Sequence, residues 1–403
     1  MRVAYISADP GVPVFGRKGC SIHAQEVLRA MSARGAKIDL FATSLGGDPP
    51  PGLEMVRVQS LPPAPKGELA AREQLSLAAN ADLQRSLERA APFDFIYERY
   101  SLWSSAGMDY AQKAGIPGLL EINAPLIEEQ VEHRGLVDRA GAAAVAERAF
   151  SDAKVLLAVS EEVAAYVERF PGAAGKVRVL PNGVDPGRFP PDLAPSLPGP
   201  PGAFTVGFVG TLKPWHGVEI LVEAFARLHQ KNPSARLLIV GDGPEMKNLQ
   251  ADLARRGLLD KAHFTGAVAA REVPGLLASM NVAVAPYPEL ARFYFSPLKV
   301  YEYMAAGLPV VASRIGQLTR LIEPDVTGLL VKPGDAGELA SALDRLSRDP
   351  ALRERLGKSA RAAVLRDHTW DAVVARIFEF VGFTPGARPS KGRSSQEQAG
   401  VAR

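Results

Sequence analysis

Short apolar runs alternate with amphipathic stretches along almost the whole chain, which predicts strands separated by helices, the pattern of parallel sheets built from βαβ units. In the first half such runs fall at residues 3–8 (VAYISA), 37–43, 55–61, 93–99, 118–123, 155–160 and 177–183. Most are continuously apolar rather than alternating, as strands covered on both faces must be. Residues 186–202 (PGRFPPDLAPSLPGPPG) then bring seven prolines, which exclude a helix or central strand and predict an interdomain linker. The rhythm restarts with runs at 205–210, 235–241, 263–268, 282–287, 308–313 and 328–331. Between them lie helical patterns such as VEILVEAFARLHQ, whose Ile220, Leu221, Ala224, Phe225 and Leu228 share one face.

The expected architecture is therefore α/β: two doubly wound, Rossmann-like domains facing across a cleft. They span residues 1–185 and 203–367, with a helix at 368–382 that could cross back to the first domain and a polar, disordered tail at 383–403. In such sheets ligands bind at the carboxyl edge of the strands.

Composition narrows the class without changing the fold. The chain has 403 residues, 47% hydrophobic and 23% charged, with a net charge of +3, the profile of a soluble globular protein with no basic stripe for nucleic acid. One cysteine, Cys20, excludes an intrachain disulfide and fits a reducing compartment. No apolar run is long enough to span a membrane, and the N-terminus turns polar after one strand, unlike a signal peptide. The expectation is a cytoplasmic protein, with peripheral membrane contact left open.

The candidate chemistry sits in loops after strands. Gly16 and Gly19 precede a helix start that offers free backbone N–H groups to an anion, and His23 stands early in that helix. The run GVPVFGRK falls short of a Walker loop, because its lysine comes one place late and no Ser or Thr follows it, and it gives no G-x-G-x-x-G. After the strand at 205–210, the loop GTLKPWHG carries Lys213 and His216, and Lys213 can serve as a point charge for phosphate. In IVGDGP, Gly241, Asp242 and Gly243 supply tight turn chemistry.

In SPLKVYEYMAAGLPVVAS, residues 296–313, Ser296 suits an N-cap, Pro297 the first helical position and Gly307 the stop. Lys299 and Glu302 are three apart on this helix. Either they form an idle surface pair, or Lys299 and the helix start meet a pyrophosphate while Glu302 accepts hydrogen bonds from a ribose diol.

Together with FVGTLKPWHG, VLPNGVDPGRF, LLIVGDGP and VTGLLVKPGD, this run resembles the retaining nucleotide-sugar glycosyltransferases of GT-B fold, family four (glycosyl transferases group 1), over roughly residues 1–380. The resemblance implies a second domain that binds a nucleoside-diphosphate sugar and an acceptor held against the first. It implies Gly19, Gly210, Thr211, His216, Gly241, Val268, Ser296, Pro297, Leu298 and Glu302 as donor-binding residues, with Lys213, Lys299, His23 and Asn123 around the reacting bond. Glu302 matches the second of the family's paired glutamates. Tyr294 stands where the first belongs, and Glu289 is the nearest upstream acid. Thr211 and His216 occupy the positions of the family's diphosphate-binding Arg and Lys, which leaves Lys213 and Lys299 to supply charge.

The implied reaction is retaining, same-face transfer to a hydroxyl acceptor without a metal, a separate cofactor or an enzyme nucleophile; no D-x-D run is present. The acceptor is unidentified, with Arg99, Glu128 and Glu129 as possible contacts. A nucleotide-sugar epimerase and a binding protein that has lost catalysis remain as rival readings.

Overall fold

The structure of the protein, a computed structural model, describes residues 1–63 and 66–383; the tail expected at 383–403 lies, apart from Phe383, outside the described residues. Its first sheet has seven parallel strands: β1 (Arg2–Ser7), β2 (Lys37–Ala42), β3 (Arg57–Ser60), β4 (Phe95–Arg99), β5 (Gly118–Ile122), β6 (Val155–Ala158) and β7 (Val177–Val179). Their spatial order is β3-β2-β1-β4-β5-β6-β7. A second sheet of six parallel strands comprises β8 (Phe204–Val209), β9 (Ala235–Val240), β10 (Ala262–Phe264), β11 (Val282–Ala285), β12 (Val310–Ser313) and β13 (Leu329–Val331), in the order β10-β9-β8-β11-β12-β13. Each sheet reverses its winding once, between β1 and β4 and between β8 and β11. At such switch points the loops diverge and open a crevice at the carboxyl edge.

The strands form where the apolar runs are longest. Val3–Ile6 and Val206–Phe208 are buried along their length because helices cover both faces. Several strands stop short of their runs. The run at 177–183 yields only Val177–Val179, since its partner β6 ends at Ala158 and offers no further backbone to pair.

The helix Gly19–Ala33 buries Ala24, Val27, Leu28 and Met31, together with His23, Gln25 and Glu26. Gln25 is held by the Val14 and Gly16 carbonyls, and Glu26 faces Arg29 and Arg188. His23 is covered by Trp370 of the helix Trp370–Phe380, which returns to the first domain and buries Trp370, Val374, Ile377 and Phe378 in the core that holds Val3 and Tyr5. Arg34 and Asp371 join the two helices at 2.8 Å. The outgoing and returning crossings touch: the Val184 N–H donates to the His368 carbonyl at 2.9 Å, and the Trp370 N–H to the Val184 carbonyl at 3.1 Å. Among the described residues no helix is long and apolar enough to cross a membrane.

The proline-rich segment is pinned rather than free. The Leu197 N–H donates to Ser279 Oγ at 2.9 Å, Phe189 is buried, and Pro186–Arg188 forms a 3-10 turn. Proline fixes φ and removes donors, but it does not prevent a segment from docking on a surface.

Candidate functional site

A cleft of about 530 Å³ lies between the carboxyl edges of the two sheets. The first domain supplies Arg17, Lys18, Gly19, His23, Arg99 and Asn123, and the second supplies Gly210, Thr211, His216, Gly241, Val268, Ser296, Pro297, Leu298, Lys299 and Glu302. Its lining holds five Arg or Lys side chains against the two acids Asp242 and Glu302, a positive excess that suits an anionic ligand. Of the residues implied as donor-binding or as standing around the reacting bond, only Lys213 lies outside the lining. Its Nζ lies 5.5 Å from the centre of the Trp215 ring, which in turn stacks at 6.1 Å on His133 of the first domain. The short loop folds onto its own tryptophan and carries the lysine to the rim.

Backbone comes close to whatever the cleft holds at Gly210 and Gly241, with φ of +143° and +135°. A Cβ on Gly241 would lie 2.1 Å from the Gly210 carbonyl oxygen, so only glycine lets these two strand ends meet.

The helix Leu298–Ala305 starts one residue later than its sequence suggests, with Pro297 as the cap and no side-chain capping bond. Ser296 is engaged elsewhere: its Oγ accepts from the Asn182 N–H at 3.2 Å, and its carbonyl accepts from Asn182 Nδ2 at 2.6 Å. Lys299 and Glu302 do not pair. Lys299 Nζ is buried without a hydrogen-bond partner, 4.2 Å from the centre of the Phe208 ring and 5.6 Å from that of Tyr287. Burial in this aromatic pocket pushes its ammonium down to about 7. Glu302 instead accepts from Arg188 Nη1 at 2.9 Å; burial raises its carboxyl and Arg188 opposes the rise.

His216 brings no charge. Burial first, then Lys299, pushes it down to about 3, and its Nδ1 is turned onto the Thr211 carbonyl. His23 Nε2 lies against Glu121, and its ring meets Trp370 edge-on at 5.0 Å. Burial would raise the Glu121 carboxyl, but His23, Arg99 and the Tyr97 hydroxyl outweigh it and hold the group at about 2. That leaves Arg99 Nη1 buried, 3.9 Å from Glu121 and without a hydrogen bond, next to the cleft. Asn123 Nδ2 is likewise unpartnered. Three buried donors with nothing to donate to, Arg99, Asn123 and Lys299, therefore line one cavity. An orphaned donor costs about 1–3 kcal/mol, a cost that an anionic or hydroxyl-rich ligand would offset.

Tyr294 is not in the cleft lining; its hydroxyl reaches Glu129 of the first domain, and its carbonyl accepts from Ser160 Oγ at 2.9 Å. The position thus serves as a clasp between domains. Glu289 is exposed and also lies outside the lining. Glu128 is taken by Arg169 at 2.8 Å. Beside the cleft, a second cavity of about 410 Å³ in the first domain is lined by Asp9, Arg72, Ser101, Trp103, Leu126 and Arg134 among others.

Sequence reasoning missed Arg188 and Asn182, both inside the quoted run VLPNGVDPGRF. A lone arginine in a proline-rich segment was the available signal.

Comparison with known proteins agrees with this geometry. The family described as "Glycosyl transferases group 1" matches residues 203–349, and the "Glycosyl transferase 4-like domain" matches residues 18–183. The D-inositol 3-phosphate glycosyltransferase of Stackebrandtia nassauensis is 30% identical over 405 residues, covering 92% of this chain and 88% of its own. That of Salinispora arenicola is 27% identical, covering 90% and 87%. Among solved structures, sucrose-phosphate synthase from Thermosynechococcus elongatus aligns with a TM-score of 0.72 at 23% identity, over 94% of this chain and 98% of its own. Anabaena Alr3699/HepE in complex with UDP aligns at 0.71 and 22%, over 95% and 100%. With two sheets facing across a positive cleft and relatives matched along nearly its full length, the chain belongs to the group 1 glycosyltransferases and has GT-B architecture.

Proposed function

We propose that the enzyme moves a sugar from a nucleoside-diphosphate sugar to a hydroxyl acceptor with retention of configuration, without a protein-bound metal or an enzyme nucleophile. The observation that carries this reading is the set of three orphaned donors and the Glu302 carboxylate around one interdomain cleft. Glu302 accepts from the ribose hydroxyls. Lys299, Arg99 and the start of the helix Gly19–Ala33 face the diphosphate, where negative charge grows as the anomeric C–O bond breaks through an oxocarbenium-like transition state. The leaving phosphate oxygen takes the acceptor's proton as the new C–O bond forms on the same face, so no side chain need act as base. Asn123 and His23 flank the reacting carbon on the acceptor side. The relatives' names make a phosphorylated polyol the first acceptor to try, and the second cavity, with Arg72 and Arg134, offers a place for it.

The test is a thermal-shift titration with UDP, GDP, CDP, ADP, NAD and ATP, since a ligand that binds only the native state stabilises it by mass action. Selective stabilisation by one nucleoside diphosphate, weakened in Glu302→Ala, is the expected result. A response only to NAD or ATP overturns the reading. The anomeric configuration of the product by NMR checks retention, and turnover that vanishes in chelator and returns with a divalent ion would remove the metal-independent mechanism.

A further inference from the structure

We propose that Arg188, carried on the segment between the domains, is the positioning residue that keeps Glu302 ready for the donor by standing between it and a second carboxylate, Glu26 of the first domain. The inference rests on the donor-site reading above. The guanidinium reaches three elements: Nη1 lies 2.9 Å from Glu302 and 3.9 Å from Glu26, and Nη2 donates to the Ala270 carbonyl at 3.1 Å. Its Cζ sits 5.2 Å from the centre of the buried Phe189 ring, and Asp185 holds the turn by accepting from the Gly187 N–H at 2.9 Å. Both carboxylates are well covered, with 4% of the Glu26 side chain and 15% of Glu302 exposed.

Two covered carboxylates facing one another cannot both stay ionised without a cation between them. Among the described residues, the charged and titratable groups around Glu302 are Arg188 from the linker and Asp185 just before it, Glu26 with its own partner Arg29 from the helix Gly19–Ala33, and Lys299 and Tyr303 on the helix that bears it. Among the described residues, Arg188 is the one cation that touches the Glu302 carboxylate. A protonated Glu302 accepts from one fewer hydroxyl. Removing Arg188 should therefore weaken donor binding most at low pH, and removing the competing charge on Glu26 should give some of it back.

The experiment measures the Kd of UDP, and of GDP in parallel, by calorimetry between pH 6 and 8.5. Wild type, Arg188→Met, Arg188→Lys and the double variant Glu26→Gln/Arg188→Met are compared, each first shown to be folded by circular dichroism. The expected result is a variant-to-wild-type Kd ratio of at least tenfold at pH 6 for Arg188→Met, shrinking toward threefold at pH 8.5. Arg188→Lys and the double variant should both lie closer to wild type. A ratio that does not change with pH, or a double variant no better than Arg188→Met, overturns the proposal and leaves the donor-site reading standing. A wild type that binds neither nucleotide removes both.

Discussion

Replacing Lys299 by methionine sets the needs of the ligand against those of the fold. Methionine keeps the unbranched stem over Phe208 and Tyr287 and removes the buried charge. Burial holds this lysine at about 7 instead of 10.5, a difference worth about 5 kcal/mol. The sign follows from linkage. Below pH 7 the lysine is charged in both native and unfolded chains, and the native fold bears the full cost of burying it. Between pH 7 and 10.5 the native lysine is neutral while the unfolded one is still charged, so stability rises with pH. From pH 6 to 8.5 this contributes about 2 kcal/mol, or roughly 4–8 °C in Tm for a domain of this size. Lys299→Met should therefore melt higher than wild type, with an advantage some 4–8 °C larger at pH 6 than at pH 8.5. Nucleotide binding moves the other way. If the diphosphate needs the charged lysine, the protonated fraction of the empty site falls about tenfold from pH 6 to 8, and the wild-type Kd rises by about the same factor. Lys299→Met should bind weakly and without that slope. Differential scanning fluorimetry and calorimetry on the two proteins at both pH values read these quantities. A Tm difference that is constant with pH would refute the argument, because it would mean that Lys299 is not buried as an unpaired charge.

Three further changes probe other parts of the molecule. Gly241→Ala drives a Cβ into the Gly210 carbonyl and should cost several kcal/mol together with nucleotide binding, read as a lower Tm and no ligand-induced shift. Glu98 in β4 is pushed up to about 7 by burial, against a hydrogen bond from Ser104 that favours its charged form, so the stability it confers is lost as pH rises from 4.5 to 7. Glu98→Gln should gain up to about 3 kcal/mol on wild type at pH 8 and little at pH 4.5, measured by denaturant melts. Tyr294→Glu restores the residue type the family carries but sets a carboxylate against Glu129; it should lower Tm more at pH 8 than at pH 5 and should not improve donor affinity, as kinetics at both pH values will show.

Each of the thirteen strands among the described residues overlaps a run visible in the sequence. The central ones must be apolar because they are buried on both faces, whereas the edge strands β3, β7 and β10 are partly exposed and show it less clearly. Their ends were harder to place, since pairing stops where the neighbouring strand stops and not where β-prone residues run out. The glycines of the cleft were legible for a similar reason: local backbone geometry is written in local sequence. What the sequence hides is pairing across distance. Arg188 and Glu302 are 114 positions apart, as are Asn182 and Ser296, and no periodicity links them. Lys299 looks like the polar edge of an amphipathic helix. Only the fold shows that its ammonium is tucked over Phe208, which comes from strand β8. Lys213 fails for the opposite reason, because its motif position suggests the cleft while its own tryptophan holds it at the rim.

The returning helix sets the order in which the molecule can be completed. The first domain leaves the ribosome before the second, yet the side chains that seal it, from Trp370 to Phe378, are made only after the second domain. At roughly 5–20 residues per second, the face that receives them stays bare for about 10–35 s after the linker has emerged. During that interval Val27, Leu28 and Tyr97 lack part of their cover, and His23 waits for Trp370. The domain made earlier is therefore completed after the one made later, and a synthesis halted before residue 370 leaves an open apolar face exposed to chaperones or to other nascent chains.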